Sequence, residues 1–488
     1  MLRPRLLASR FAAVRPGTGR VLIVSNRLPL TVRVDDGAVA IVPSAGGLAT
    51  GLRGVHERSG GLWIGWTGVP AETPWPTRQV IDRRLASIGA LGVPLSAAEI
   101  AGFYERYANG VLWPVLHDRT DGPVAADADW ELYRVVNERY ADAVSRELRA
   151  GDVVWIHDYH LMLVPRLLRE RHPDVRIGFF LHTPFPDLEA LARVPQRAAL
   201  LDGLLGADVV GVHTTAYATR FLDAVRSVLG RDVRGHGVAD GTREVTVRAC
   251  AMSIDVAAFE AQGADARVAD HARSLRRDGE ALLVGVDRLD YTKGIPERLA
   301  AFARLLRDAP EWRGRVRLLQ IAAPSRAAVP AYRALRARVE AHVERINRRF
   351  GTASWTPVEY RYECVEGSAL AALYRAADVM LVTPVRDGMN LVAKEFVATR
   401  TDGDGVLVLS RQAGAAAELR TALLVEPNDI AGLARAYAAA LTMPSPERRV
   451  RMRRLRGAVR RHDVFQWARE FLLALGSGHV GLVGRTVG

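Results

Sequence analysis

The strongest constraint on this chain is a rhythm of short apolar runs separated by amphipathic stretches. Residues 281–286, 316–322, 358–362, 379–382, 405–409 and 423–425 are apolar runs of strand length. Segments 296–308, 329–350, 368–376, 390–399, 414–419 and 430–441 carry apolar residues at helical spacing. The first half has the same succession, with apolar runs at 20–25, 152–157 and 175–181 and helical segments at 132–150 and 161–171. A strand, a helix and a second strand in one sheet imply a crossover to a parallel neighbour, with helices covering the faces. Two consecutive sets of this kind predict an α/β chain of two doubly wound, Rossmann-like parallel-sheet domains, with the boundary near residues 252–258. The 488 residues, 49% of them hydrophobic, suffice for two cores. Ahead of the regular pattern, 31–34 and 38–42 flank Asp35-Asp36-Gly37 as a hairpin, and Ser44-Ala45-Gly46-Gly47-Leu48 opens a short helix.

No apolar run approaches the roughly 18–20 residues that span a bilayer, so no membrane association is expected. Cys250 and Cys364 have no metal-ligand spacing and make no disulfide framework, which fits a reducing cytoplasm. Arginines at 3, 5, 10, 15 and 20 without acids have the look of a transit peptide. Arginine and alanine are abundant throughout, however, and residues 1–19 are expected to be a flexible N-terminal extension. The net charge of +13 and the run at 448–461 raise nucleic acid as a partner. No aromatic residue interleaves with those arginines, and Val450, Leu455 and Val459 fall at helical spacing. The run is therefore expected to be an amphipathic helix with a solvated basic face, and nucleic acid is not an expected partner.

Ligands of doubly wound sheets bind beyond the carboxyl ends of the strands, so the residues there are the candidates for chemistry. Asp158 follows the run ending at His157, and His182 follows the run ending at Leu181, which places both at one crevice mouth. Each also has a plain structural reading, Asp158 as a helix cap and His182 as a core imidazole. His157, His160 and His182 could be drawn as zinc ligands, but they lack helix-borne i, i+4 spacing. The acids Asp127 and Asp129 are better explained as the acidic start of a helix than as a metal site. Arg288 and Lys293, five residues apart in DRLDYTKG, have the form of a diphosphate clamp, or alternatively pair with Asp287 and Asp290 on a surface loop. Lysine occurs only at Lys293 and Lys394 among 67 basic residues, which marks places where a compact ammonium is wanted. In 384–395, Asp387 and Gly388 form a loop before a helix whose first amides can bind an anion, with Glu395 one turn inside and Lys394 facing elsewhere. Arg27 and Arg326 are further cations at strand ends. Trp63, Trp66, Tyr104 and Trp113 offer aromatic surface, which is either core or sugar-packing.

The motifs SNRLP (25–29), SAGGL (44–48), LWIGWTG (62–68), YANGVLWP (107–114) and WIHDYHL (155–161) resemble those of trehalose-6-phosphate synthases, glycosyltransferase family 20. So do GFFLHTPFP (178–186), DRLDYTKGIPER (287–298), APSR (323–326) and TPVRDGMNLVAKE (383–395), and the spacings agree from about residue 20 to 470. The resemblance implies a GT-B fold with a catalytic cleft between an acceptor domain, 20–253, and a nucleotide-sugar donor domain, 254–462. Residues 463–488 would be a helix returning to the first domain, plus a tail. It implies a metal-independent, cofactor-free and retaining transfer from UDP- or GDP-glucose to glucose 6-phosphate by a homo-oligomer, a dimer or tetramer. Carried over residue by residue, Arg27, Tyr104, Trp113 and Arg326 would hold the acceptor phosphate, with Trp66 at the same subsite. Asp158 would bind the acceptor sugar and His182 the donor glucose. Arg288 and Lys293 would grip the diphosphate. Gly47 and the amides of Met389, Asn390 and Leu391 would complete that cradle, Asp387 would bind donor glucose, and Glu395 the ribose.

Two departures are visible. Thr183 stands where isoleucine is usual, and 249–256 lacks a proline frequent before the interdomain segment. The donor base would face residues 361–368, which carry no readable code. Competing readings are a glucosylglycerol-phosphate synthase, a cyclitol-coupling pseudoglycosyltransferase, a regulatory paralogue that binds sugar phosphate without turnover, and a glycogen-type polymerase. The complete 387–395 segment and the acceptor-phosphate set argue against the cyclitol version, the full set of site residues against a pure sensor, and the phosphate-binding acceptor site against a polymerase.

Overall fold

The computed structural model describes residues 19–476 other than 36–37, 44–46, 123 and 327–328. The N-terminal extension up to residue 18, the tip of the early hairpin and the tail from 477 lie outside the described residues. In the first half the strands are β1 (Val21–Arg27), β2 (Leu30–Asp35), β3 (Ala38–Pro43), β4 (Leu62–Trp66), β5 (Ala90–Gly92), β6 (Val153–His157), β7 (Arg176–Phe180), β8 (Val209–Val212), β9 (Val233–Arg234), β10 (Gly237–Asp240) and β11 (Arg243–Ala249). Nine of them form one sheet in the order β5-β4-β1-β6-β7-β8-β11-β10-β9, parallel except for the β10 and β9 edge. The pair β2 and β3 stands apart as an antiparallel hairpin with Leu30 opposite Pro43.

The second half supplies β12 (Ala281–Arg288), β13 (Val316–Ala323), β14 (Val358–Arg361), β15 (Val379–Val382), β16 (Val406–Ser410) and β17 (Leu423–Val425). These make an all-parallel sheet in the order β14-β13-β12-β15-β16-β17. Numbered from its own first strand, that order is 3-2-1-4-5-6, the doubly wound Rossmann arrangement. Such strands are covered on both faces, which is why they read as nearly unbroken apolar runs. Leu282, Leu283 and Val284 of β12 are buried, and so is all of β15. The chain is thus two facing Rossmann-like sheets, a GT-B architecture.

The last described helix, Val464–Ala474, packs on the first sheet rather than the second. Trp467 and Phe471 lie 5.0 and 4.9 Å from the Trp155 ring, and Trp467 meets Phe180 edge-on. The helix before it, Ser445–Arg461, buries Met452, Leu455 and Val459 against the second core. Val450 is exposed, so the apolar stripe runs through Met452 in its place.

Several elements differ from the periodicity. The segment 161–171 is a tight turn at Tyr159–Leu161 followed by the helix Val164–Arg171, because Pro165 suits the first turn of a new helix. The segment 414–419 is one 3₁₀ turn, Gly414–Ala417. Residues Ile100–Leu112 form a wide π-helix that no sequence period announces.

Candidate active site

In each sheet the strand order reverses beside the first strand, and the crevice at that point holds the candidate residues. In the first sheet it opens between β1 and β6: Arg27 ends β1 and Asp158 directly follows β6. His182 comes two residues after β7. In the second sheet it opens between β12 and β15. Arg288 ends β12, Lys293 closes the 3₁₀ turn Tyr291–Lys293, and Asp387 lies in the loop after β15.

On the first-domain side, aromatic rings line the crevice. The Arg27 guanidinium sits 5.0 Å from the Trp66 ring. Trp66 meets Tyr104 edge-on at 5.8 Å and donates its indole N–H to the Val69 carbonyl. Tyr104, carried by the π-helix, stacks on His160 at 5.7 Å. Trp113 faces two cations from the opposite domain, Arg326 at 4.2 Å and Arg288 at 5.6 Å. Its indole nitrogen is buried without a hydrogen-bond partner among the described residues. Trp63, by contrast, is core, donating to Ser25 Oγ at 2.7 Å.

Arg326 crosses the cleft. Its guanidinium pairs with Asp290 at 3.0 Å, donates to the Tyr332 hydroxyl, and lies 3.3 Å from the Tyr159 hydroxyl of the other domain. Asp290 is fully buried. Burial alone would raise its carboxyl, but Arg326 and Arg288 hold it well below the usual carboxylate range. Arg288 itself is exposed at the cleft and makes no ion pair among the described residues.

On the second-domain side, Lys293 Nζ is 2.5 Å from Asp387 Oδ2, and Asn390 Nδ2 donates to the same oxygen at 3.0 Å. Burial opposes ionisation of Asp387, yet Lys293 keeps its carboxyl below the ordinary value. Asn390, at φ 71°, caps the helix Leu391–Thr399 through the Ala393 amide, and Met389 is buried beneath that helix start. An N-terminus of this kind presents unpaired amides to an anion. Glu395 accepts from the Tyr374 hydroxyl at 2.8 Å, and burial raises its carboxyl. Lys394 points away into the interdomain packing, bonded to Met252 O at 2.9 Å and Glu418 at 2.5 Å. Gly388 abuts the first domain: a Cβ there would sit 2.1 Å from the His182 carbonyl oxygen. Gly47 is the first residue of the helix Gly47–Ser59, just after the undescribed 44–46.

Between the two sides lie Asp158 and His182. Asp158 has φ 74° and ψ 167°, backbone that ordinarily needs glycine, and its carboxylate accepts the His182 amide at 3.2 Å. Burial pushes its carboxyl up to about 6, against the opposing pull of backbone amides and of Arg288 and Arg326. His157 Nδ1 and His182 Nε2 are 3.0 Å apart, and burial keeps both rings neutral. Among the described residues, the non-glycine positions with positive φ are Asp118, Asp158, Arg326 and Asn390, all at this cleft. Such backbone costs about 1–3 kcal/mol at each position.

Asp287 and Asp290 do not pair with Arg288 and Lys293: Asp287 holds buried Arg298 at 2.5 Å and Asp290 holds Arg326. Asp127 and Asp129 open the helix Asp127–Glu147, and Asp129 binds Arg106 at 2.8 Å. Among the described residues no group of three or more His, Cys, Asp or Glu side chains could hold a metal ion. Tyr159 and Tyr332, which help set Arg326, escaped sequence reasoning, and Asp290 was read only as an alternative partner of Arg288 and Lys293. Asp290 lies inside a motif already singled out, but its partner is 36 residues away and invisible to local spacing.

The profile of glycosyltransferase family 20 matches residues 19–477. The trehalose-6-phosphate synthase of Mycobacterium sp. (strain JLS) is 43% identical over 475 residues, which cover 95% of this chain and 97% of that one. The bifunctional trehalose-6-phosphate synthase/phosphatase of Thermoproteus tenax is 43% identical over 469 residues. That alignment takes in 93% of this chain but only 63% of the Thermoproteus protein. Among solved structures, the UDP-forming α,α-trehalose-phosphate synthase of Burkholderia xenovorans in complex with glucose-6-phosphate superposes with a TM-score of 0.84. Its identity is 36%, with 94% of this chain and 100% of that one covered.

Proposed function

The chain belongs to glycosyltransferase family 20, and we propose that it joins glucose from a nucleoside-diphosphate glucose to glucose 6-phosphate, making α,α-trehalose 6-phosphate. One observation carries the assignment of roles. Two cations of the second domain, Arg288 and Arg326, lie over Trp113 of the first, so a phosphorylated acceptor and a diphosphate donor would meet at one place.

In this reading 20–253 is the acceptor domain, 254–462 the donor domain, and 463–488 the returning helix and tail. Arg27, Tyr104, Trp113 and Arg326 hold the acceptor phosphate, with Trp66 behind Arg27. Asp158 orients the attacking hydroxyl and His182 the donor glucose. Arg288 and Lys293 stabilise the departing diphosphate, and Gly47 with the amides of Met389, Asn390 and Leu391 completes its cradle. Asp387 binds donor glucose and Glu395 the ribose. The C1–O bond to the diphosphate breaks as a new C1–O bond forms on the same face. The acceptor's proton passes to the leaving phosphate oxygen. The protein's share is orientation and stabilisation of charge, without a metal ion. UDP- and GDP-glucose both remain donors of this reading. A homo-oligomer, a dimer or tetramer, and a cytoplasmic location complete it. No helix among the described residues is long and apolar enough to cross a membrane.

The test is a donor panel with glucose 6-phosphate and UDP-, GDP- or ADP-glucose, run with and without EDTA, the product identified by mass and its linkage by NMR. An α,α-linked disaccharide phosphate, formed equally with chelator, is expected. No product with any donor would overturn the reading, and loss of activity with EDTA would overturn metal independence.

A further inference from the structure

Behind the donor loop, Arg386 reaches across the cleft to Asp118. Its Nη1 lies 2.6 Å from Asp118 Oδ2, and its Nη2 lies 3.4 Å from the Phe185 carbonyl oxygen. Asp118 is held by its own domain as well, accepting from Arg220 at 2.9 Å and from the Asp187 amide at 3.0 Å, with its backbone at φ 55°. The carboxylate is therefore held by its own domain as well as by Arg386. Burial works against the Arg386 charge, so its site in the cleft needs Asp118 opposite.

Both partners are one step from a substrate subsite. The residue after Arg386 is Asp387, which grips Lys293, and the Arg386 amide is bonded to the Thr292 carbonyl in the same turn. The residue before Asp118 is His117, whose ring lies 4.2 Å from the Trp113 ring and whose Nδ1 is 2.7 Å from the Trp113 carbonyl. The residue after it, Arg119, lies over Tyr291 of the donor turn at 4.4 Å. The Tyr217 hydroxyl adds a bond to the Asp387 carbonyl at 3.2 Å.

We propose that the Asp118–Arg386 pair is an interdomain latch, and that Arg386 is a positioning residue setting the donor turn against the acceptor pocket. The inference rests on the reaction proposed above. A latched cleft holds the acceptor hydroxyl against C1 and keeps water away from it. With the latch loosened, water competes for the donor, so the ratio of donor hydrolysis to disaccharide phosphate formation rises. A merely structural residue would lower both rates together.

The experiment measures that ratio in the full chain for Arg386→Met, Asp118→Asn and the double variant, with Arg386→Lys as the variant that keeps the charge. Solution X-ray scattering of the same proteins with UDP-glucose reads the separation of the domains directly. A ratio raised about tenfold or more in each uncharged variant, a smaller rise in Arg386→Lys, and a double variant no worse than the worse single are expected. The uncharged variants should also have a larger radius of gyration. A ratio within about twofold of the parent in folded variants, with an unchanged radius, overturns the latch. If the parent protein forms no disaccharide phosphate, the proposed reaction fails, and the scattering arm alone still decides the latch.

Discussion

Asp158 occupies backbone space that ordinarily belongs to glycine, and in the proposed reaction that cost places its carboxylate beside the acceptor hydroxyl. Asp158→Gly is accordingly expected to raise the thermal unfolding midpoint while lowering turnover by about a hundredfold or more, a combination readable by calorimetry and initial rates. Its raised carboxyl has two consequences for pH. If the anion orients the acceptor, kcat/KM falls as pH drops below about 6, and Asp158→Asn loses that acid limb along with most of its activity. Between about pH 4 and 6 the folded chain binds more protons here than the unfolded one, so this group's contribution to stability declines as pH rises through that window. At Lys293 the expectation is kinetic. Lys293→Ala should lower turnover more than about tenfold while leaving glucose 6-phosphate binding, followed by calorimetric titration, nearly intact. These residues were legible in the sequence as charged groups at strand ends. Their partners were not: Asp290 with Arg326 and Asp118 with Arg386 are joined across 36 and 268 positions, and no local spacing encodes such pairs.

At the level of elements, the loop 384–390 and the helix Leu391–Thr399 join the second domain to the first, through Gly388 against His182 and Lys394 bonded to Met252. Gly388 lets that loop touch the backbone of the first domain, since a methyl group there would press on the His182 carbonyl, which cannot yield as a side chain does. Gly388→Ala should therefore raise the donor KM about tenfold or more and also lower the unfolding midpoint, seen in steady-state kinetics beside a melting curve. The returning helix Val464–Ala474 has a stability role. Trp467 is fully buried against Trp155 and Phe180, and Trp467→Ala should cost roughly 3–5 kcal/mol in urea unfolding. Most parallel strands were readable because burial on both faces makes them continuous apolar runs. The π-helix Ile100–Leu112 was not, because its wider turn has no standard period, and it is the element that carries Tyr104.

Over the whole molecule, the basic excess of +13 does not gather at the cleft. Many arginines are paired at the surface, such as Arg134 with Glu131 and Arg336 with Glu340. The cleft's own cations are few and placed by the fold. What the amino-acid sequence determined by itself is the pair of doubly wound sheets, the strand-end positions of the charged residues, and the family to which the motifs belong. Each of these follows from local periodicity and from short runs of residues near one another in the chain. What only the tertiary structure decided is which groups share the cleft. Arg326 faces Trp113 and Tyr159, Arg386 meets Asp118, and Lys394 turns away to brace Met252, because docking of the two sheets sets distances that no local pattern contains.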